Sequence, residues 1–257
     1  MSAREASSVC NDRSSLSRKP SKQTTCPHSI PNLRIVFCYN LSMITLVLFD
    51  VDGTLLDTTE FIFQAFAFTL KKEGFLDVSR EQIRPYIGKP LADCYIGLTG
   101  KKDVSKLISL HRDFQKKHLF LSVPFTNTLS VLETLKKQHI LIVALTTRSN
   151  KTATSTLKRA GIFPFLDLLL TSEDVLKQKP DPEGIEKALR FLSVSKESAV
   201  MIGDTDVDIK AGKNAKVKTI GAAYGFHKNE IAKCNPEFVV SDIKDILPII
   251  SSLYVAV

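Results

Sequence analysis

Four short stretches of this chain carry side chains suited to phosphorus chemistry at or just beyond the ends of apolar runs. They are Asp50-Val51-Asp52-Gly53-Thr54, Leu145-Thr146-Thr147-Arg148, Lys179-Pro180-Asp181-Pro182 and Gly203-Asp204-Thr205-Asp206-Val207-Asp208. Carboxylates gathered in one place repel one another unless a cation compensates them, and a hard divalent ion does this well. Magnesium prefers octahedral oxygen coordination, takes one or two carboxylates, and fills its remaining positions with water or phosphate oxygens. Asp50 and Asp204 are the foremost candidates to hold such an ion. Lys179 and the Thr146 hydroxyl could grip the remaining phosphate oxygens and help neutralise their charge. An aspartate that attacks phosphorus forms an acyl phosphate, which splits one difficult hydrolysis into two easier displacements. Asp52, two residues beyond Asp50 and past a turn, is placed to protonate the leaving oxygen and then to deprotonate the attacking water. Gly53 lets the backbone turn tightly, so that loop amides such as that of Val51 can face the phosphate.

These residues need a scaffold that brings distant stretches to one edge. From Ile44 onward the chain alternates short apolar runs with amphipathic helical patterns. The runs Ile44–Asp50, Ile140–Thr146, Leu168–Thr171, Ala199–Asp204, Lys218–Ala222 and, more weakly, Phe238–Val240 read as buried parallel strands. Helical patterns fall at Lys151–Ala160, Glu183–Leu192 and Asp206–Ala215. Alternation of this kind predicts an α/β fold with a doubly wound, Rossmann-like parallel sheet and right-handed crossovers. Ligands of such sheets bind outside the carboxyl ends of the strands, where the polar stretches lie. Residues 57–124 break the alternation with helical periodicity and no convincing strand, and are expected to form an inserted α-helical cap. The cap opens on Asp57-Thr-Thr-Glu60, a capping-box-like start, and a second long helix is expected over Val104–Leu121. Residues 43–56 and 125–257 are then the catalytic core.

Taken together, Asp50-Val-Asp52-Gly53-Thr54-Leu55, Thr146, Lys179-Pro180 and Gly203-Asp204-Thr-Asp206-Val-Asp208 resemble the four motifs of the haloacid dehalogenase superfamily, in their usual order. The resemblance implies an aspartyl-phosphate intermediate and one Mg2+. It carries the nucleophile onto Asp50, the acid/base onto Asp52, phosphate binding onto Thr146 and Lys179, and the metal onto Asp50, Asp204 and the backbone carbonyl of Asp52. Asp208 matches a position that supports the metal or Lys179. A helical cap after the first motif is similar to that of phosphoglycolate phosphatases, bacterial pyrophosphatases and β-phosphoglucomutases. Ile87-Gly88-Lys89-Pro90-Leu91 resembles the cap loop of the first two more than that of the mutase, and Tyr224-Gly225 resembles a late motif of this branch. Dehalogenating members lack the second aspartate, which is present here as Asp52. Phe125-Thr126-Asn127 departs from the pattern, because relatives often carry glycine at the return from the cap.

Plainer roles compete at several positions. Asp206 is better read as a cap of the following helix than as a ligand, Lys177 competes with Lys179, and Thr147 competes with Thr146 while its amide assists. The phenylalanines after Phe61 and the histidines His111, His118, His139 and His227 read as structural, and Cys94 as a small buried residue. Lys89 and Arg84 could reach a substrate carboxylate or second phosphate.

The formal charge of +8 is uneven: residues 1–42 hold six Lys/Arg against two Asp/Glu, leaving 29 basic and 25 acidic residues in the body. That mild excess suits an enzyme with anionic substrates, and no nucleic-acid partner is expected. The first 42 residues, with nine serines, read as a disordered basic extension. Three readings of this block are open: an incidental start upstream of Met43, a Ser/Arg-rich organelle-targeting segment, or a basic arm for a partner. Five cysteines without a CxxC pair argue against a disulfide framework or zinc site. No apolar run reaches the roughly 18 to 20 residues that span a bilayer, so a cytoplasmic enzyme is expected, with organelle targeting as the alternative. The expected reaction is hydrolysis of a small phosphorylated metabolite, such as phosphoglycolate or a sugar phosphate, or of pyrophosphate. A phosphosugar mutase, or a regulatory protein without turnover on the same fold, are the competing readings.

Overall fold

The computed structural model of the chain describes residues 41–75, 78–87 and 89–256. The basic serine-rich extension expected over residues 1–42 lies outside the described residues except for Leu41 and Ser42. These two open a short strand, β1 (Leu41–Met43), which pairs antiparallel with the last strand, β10 (Tyr254–Ala256).

The centre is a six-stranded sheet, entirely parallel. Its strands are β2 (Leu46–Phe49), β5 (Leu141–Leu145), β6 (Leu168–Leu170), β7 (Ala199–Gly203), β8 (Lys218–Ala222) and β9 (Phe238–Val240), in the spatial order β6-β5-β2-β7-β8-β9. All six apolar runs identified from sequence are strands of this sheet, and the expected doubly wound α/β fold is the one observed. The period of two sorts each strand into two faces. Val47, Phe49, Ile142, Ala144, Val200 and Ile202 enter one apolar cluster, whereas Leu46, Leu48, Val143, Leu145, Ala199 and Met201 enter another. Burial on both faces is why these strands read as unbroken apolar runs, and each such Val, Leu or Phe contributes roughly 1.5–3 kcal/mol.

Helices α5 (Thr128–Lys137), α6 (Asn150–Arg159), α7 (Glu183–Leu192), α8 (Asp206–Asn214) and α9 (Ile246–Ser252) flank the sheet. Helix α5 adds to the helical patterns read in the sequence, with Val131, Leu132 and Leu135 buried on one face. Between β2 and β5 the chain leaves through β3 (Leu56–Asp57) and returns through β4 (Val123–Pro124), and these two pair antiparallel. The excursion between them holds α1 (Thr59–Lys72), α2 (Arg80–Ile83), α3 (Leu91–Thr99) and α4 (Ser105–Lys117). Phe63, Phe66, Leu70, Ile83, Tyr95 and Leu107 are buried in a third apolar cluster of its own, which Phe226 of the main body joins.

Two local expectations are corrected. Asp57 does accept from the Thr59 amide at 3.0 Å, but Glu60 does not complete a capping box; it pairs with Arg80 and Gln64, where a charged partner outcompetes a backbone amide. The helix expected over 104–121 ends at Lys117, because His118 has φ −123°, and a single 3-10 turn (Leu119–Leu121) follows.

Candidate active site

Adjacent parallel strands deliver the polar residues to one place. Asp50 follows β2, Asp204 follows β7, and Lys179 enters from the connection between β6 and α7. The Lys179 ammonium donates to Asp50 Oδ1 at 2.5 Å, to Asp208 Oδ1 at 2.6 Å and to the Leu145 carbonyl at 3.2 Å. Asp208 Oδ2 accepts from the Thr205 amide at 3.1 Å, so the same carboxylate steadies the start of α8. Asp204 accepts from the Phe226 amide at 2.7 Å and from the Thr54 hydroxyl at 3.4 Å. Each of Asp50, Asp204 and Asp208 offers one oxygen within 4.8 Å of the others, and all three are buried.

One ammonium cannot balance three buried carboxylates. Burial, against the pull of Lys179 and with the push of Asp208, raises Asp50 to about 7. Asp204 is likewise raised well above the usual carboxylate range by burial and by the charges of Asp50 and Asp208. Lys179 is held above its ordinary value: burial opposes this, but Asp208 and Asp50 outweigh it. The cluster therefore lacks positive charge in a place lined by hard oxygen donors, which is the donor set a divalent cation requires.

Two glycines make room for the Asp204 carboxylate. A Cβ on Gly53, whose φ is +87°, would sit 2.2 Å from Asp204 Oδ2, and a Cβ on Gly225 would sit 2.3 Å from the Gly53 carbonyl and 2.5 Å from Asp204 Oδ2. The Tyr224 hydroxyl donates to the Thr54 carbonyl at 3.0 Å and ties the two loops together.

Asp52 faces a different partner. Arg148 Nε donates to Asp52 Oδ2 at 2.7 Å and Nη2 to Asp52 Oδ1 at 2.5 Å, a two-pronged ion pair in which Arg148 is buried. Arg148 Nη1 donates to Thr156 Oγ1 at 3.0 Å, and its guanidinium lies 4.6 Å from the centre of the Phe61 ring. A cavity of about 130 Å³ lies between these residues and the helices of the excursion. Asp50, Asp52, Thr147, Arg148 and Lys179 line one side; Phe66, Tyr86, Lys89, His111, Arg112 and Gln115 line the other.

Residues 47–222 match the family of haloacid dehalogenase-like hydrolases. The chain belongs to that family. It is 35% identical over 208 residues to the pyrophosphatase PpaX of Bacillus velezensis, covering 80% of this chain and 96% of the relative. Among solved structures, a haloacid dehalogenase-like hydrolase of Bacteroides fragilis superposes with a TM-score of 0.72 at 29% identity, covering 79% of this chain and 99% of the other. A protein of Haemophilus somnus described as a predicted phosphoglycolate phosphatase superposes with a TM-score of 0.74 over 80% of this chain and 97% of the other; at 22% identity the likeness is one of fold.

In this hydrolase the residues singled out from sequence fall into three groups. Asp50, Lys179, Asp204 and Asp208 form the buried cluster. Asp52 and Thr147 line the adjoining cavity, while the buried Thr146 hydroxyl accepts from the Arg148 amide at 3.2 Å. Lys177 and Asp206 lie outside: Lys177 is exposed and turned towards Asp181, and Asp206 pairs with Lys210 while Thr205 is the helix N-cap. Lys89 lines the cavity, but Arg84 donates to the Phe226 carbonyl at 3.4 Å and does not line it. Gly88 of the cap-loop motif lies outside the described residues. Cys94 is buried and its thiol is pushed up to about 12 by burial, so it stays neutral.

Sequence reasoning missed Arg148, whereas His111, read there as structural, is buried against Tyr95 and also lines the cavity. Arg148 stands in the second polar stretch, and the oddity of an arginine immediately after a buried strand was the available signal. His111 Nδ1 lies 2.8 Å from the Tyr95 hydroxyl, and burial with the nearby charges of Arg148 and Arg112 pushes the imidazole down to about 3. Only tertiary structure brings it to the cavity.

Proposed function

We propose that this hydrolase releases orthophosphate from a small phosphorylated compound, with pyrophosphate the foremost substrate, through an aspartyl phosphate on Asp50. The observation that carries this reading is the buried cluster of Asp50, Asp204, Asp208 and Lys179, of which Asp50 and Lys179 reach a small cavity. The 35% identity to a pyrophosphatase along nearly its whole length supports the choice of substrate.

Asp50, Asp204 and the Asp52 carbonyl would hold Mg2+, which when bound supplies charge neutralisation to the phosphate and to the crowded carboxylates. Lys179 orients Asp50 and opposes the burial that raises it, and contributes positive charge to the phosphate. A carboxylate oxygen of Asp50 forms the new bond to phosphorus while the bond to the leaving oxygen breaks, and Asp52 gives its proton to that oxygen. Water then attacks phosphorus and yields its proton to Asp52 as the acyl oxygen–phosphorus bond breaks, which frees orthophosphate and restores Asp50. Residues 57–124 act as the cap that closes the cavity and excludes water from competing steps.

The test is phosphate release from pyrophosphate, phosphoglycolate, sugar phosphates and nucleotides, with magnesium or excess chelator, for the wild type and Asp50→Asn. Selective, chelator-sensitive release that falls at least ~10³-fold in Asp50→Asn is expected, because the substitution removes the nucleophile's charge with little change of shape. Equal release by both proteins would sink the reading.

A further inference from the structure

The clasp between Arg148 and Asp52 conflicts with the duty of Asp52 as it stands. Both carboxylate oxygens accept from guanidinium N–H groups, at 2.7 and 2.5 Å, so neither is directed to a leaving oxygen. Fork-shaped pairs of this kind are among the strongest hydrogen-bonded contacts, and they fix direction as well as distance. Something must replace the carboxylate before it can transfer a proton.

Arg148 is the fixed partner. Its third nitrogen is held by Thr156, its face lies on Phe61, and its side chain is 7% exposed, whereas the Asp52 side chain is 19% exposed. Both residues line the cavity in which the substrate must lie, and Lys89 and Arg112 add positive charge to the opposite wall. A planar guanidinium releases one pair of anionic oxygens most readily to another pair of matching geometry.

We propose that Arg148 is a positioning residue that exchanges partners: a second anionic group on the substrate, such as the distal phosphate of pyrophosphate or a carboxylate, takes over its fork, and the released Asp52 takes up a proton from water and passes it to the leaving oxygen. Compounds whose leaving group carries no anion leave the clasp closed. Selectivity for doubly anionic substrates is thereby built into the acid/base itself. This inference rests on the phosphohydrolase reading of the site.

The experiment compares kcat and KM for pyrophosphate and for p-nitrophenyl phosphate, whose leaving group has no second anion, in the magnesium-loaded wild type, Arg148→Gln and Arg148→Lys. Thermal unfolding checks the fold of each variant. In both variants the ratio of the two kcat/KM values is expected to fall at least about tenfold against pyrophosphate, the scale of one or two lost charge-assisted hydrogen bonds, with kcat as well as KM affected. Arg148→Lys keeps the charge and loses the fork, so it carries the test should Arg148→Gln fold poorly. An unchanged ratio, or an equal loss on both substrates in a folded variant, overturns the exchange while leaving the phosphohydrolase reading intact. Absence of magnesium- and Asp50-dependent release in the wild type would remove both.

Discussion

At the scale of single residues, the site depends on close approaches that only particular side chains permit. Gly225 is the sharpest case, since its missing side chain leaves the space where the Gly53 carbonyl and the Asp204 carboxylate meet. A methyl there would press on backbone at 2.3 Å and on the buried Asp204 carboxylate at 2.5 Å, and neither is the free end of a flexible chain. Gly225→Ala is therefore expected to lose about 1–3 kcal/mol of stability in chemical denaturation. It should also weaken magnesium binding measured by calorimetry, because Asp204 must turn away. Unchanged magnesium affinity would show that Asp204 does not need this packing. The same residue scale explains why Tyr224-Gly225 read as a motif: one residue ties a loop and the next leaves room for a carboxylate.

At the scale of elements, the excursion between β3 and β4 returns to the main body through a tight turn at the start of α5. Asn127 stands at the N-cap of α5 with φ +71°, a left-handed conformation that asparagine tolerates better than most residues. This explains the departure from glycine noted in the sequence. Its amide also donates to Asp242 Oδ2 at 3.2 Å and Oδ1 at 3.3 Å, contacts that glycine lacks. Asn127→Gly should thus stay within about 1 kcal/mol of wild type, because eased backbone strain offsets the lost side-chain contacts. Asn127→Val should lose about 2 kcal/mol or more, since a β-branched residue strongly resists this conformation. Denaturant midpoints of the two variants decide this, and equal stability would refute the account. Helix α5 buries Val131, Leu132 and Leu135 on one face, but at ten residues its apolar spacing is too short to separate a helix from a strand by periodicity alone.

At the scale of the whole molecule, the cavity between the main body and the helices of the excursion is lined by a buried histidine. His111 is 2% exposed there and is depressed from 6.5 to about 3. Because its folded value lies below its unfolded one, its neutral form favours the fold fully above about 6.5. That contribution is lost progressively as pH falls towards about 3. Stability measured by urea midpoint should decline over this window, and His111→Gln should flatten the decline; identical slopes would remove His111 as a cause. By itself the sequence determined the parallel sheet, because strands buried on both faces must be apolar throughout. It also determined that Asp50, Thr146 and Asp204 stand beside strand ends, since polar residues interrupt those runs only where the strands stop. Tertiary structure alone decided that Lys179 bridges Asp50 and Asp208 while Lys177 faces solvent, that Arg148 holds Asp52, and that His111 reaches the cavity. Those relations join residues between 29 and 129 positions apart or from different layers. No local periodicity encodes such pairings, because they arise from how strands and helices pack after each has formed.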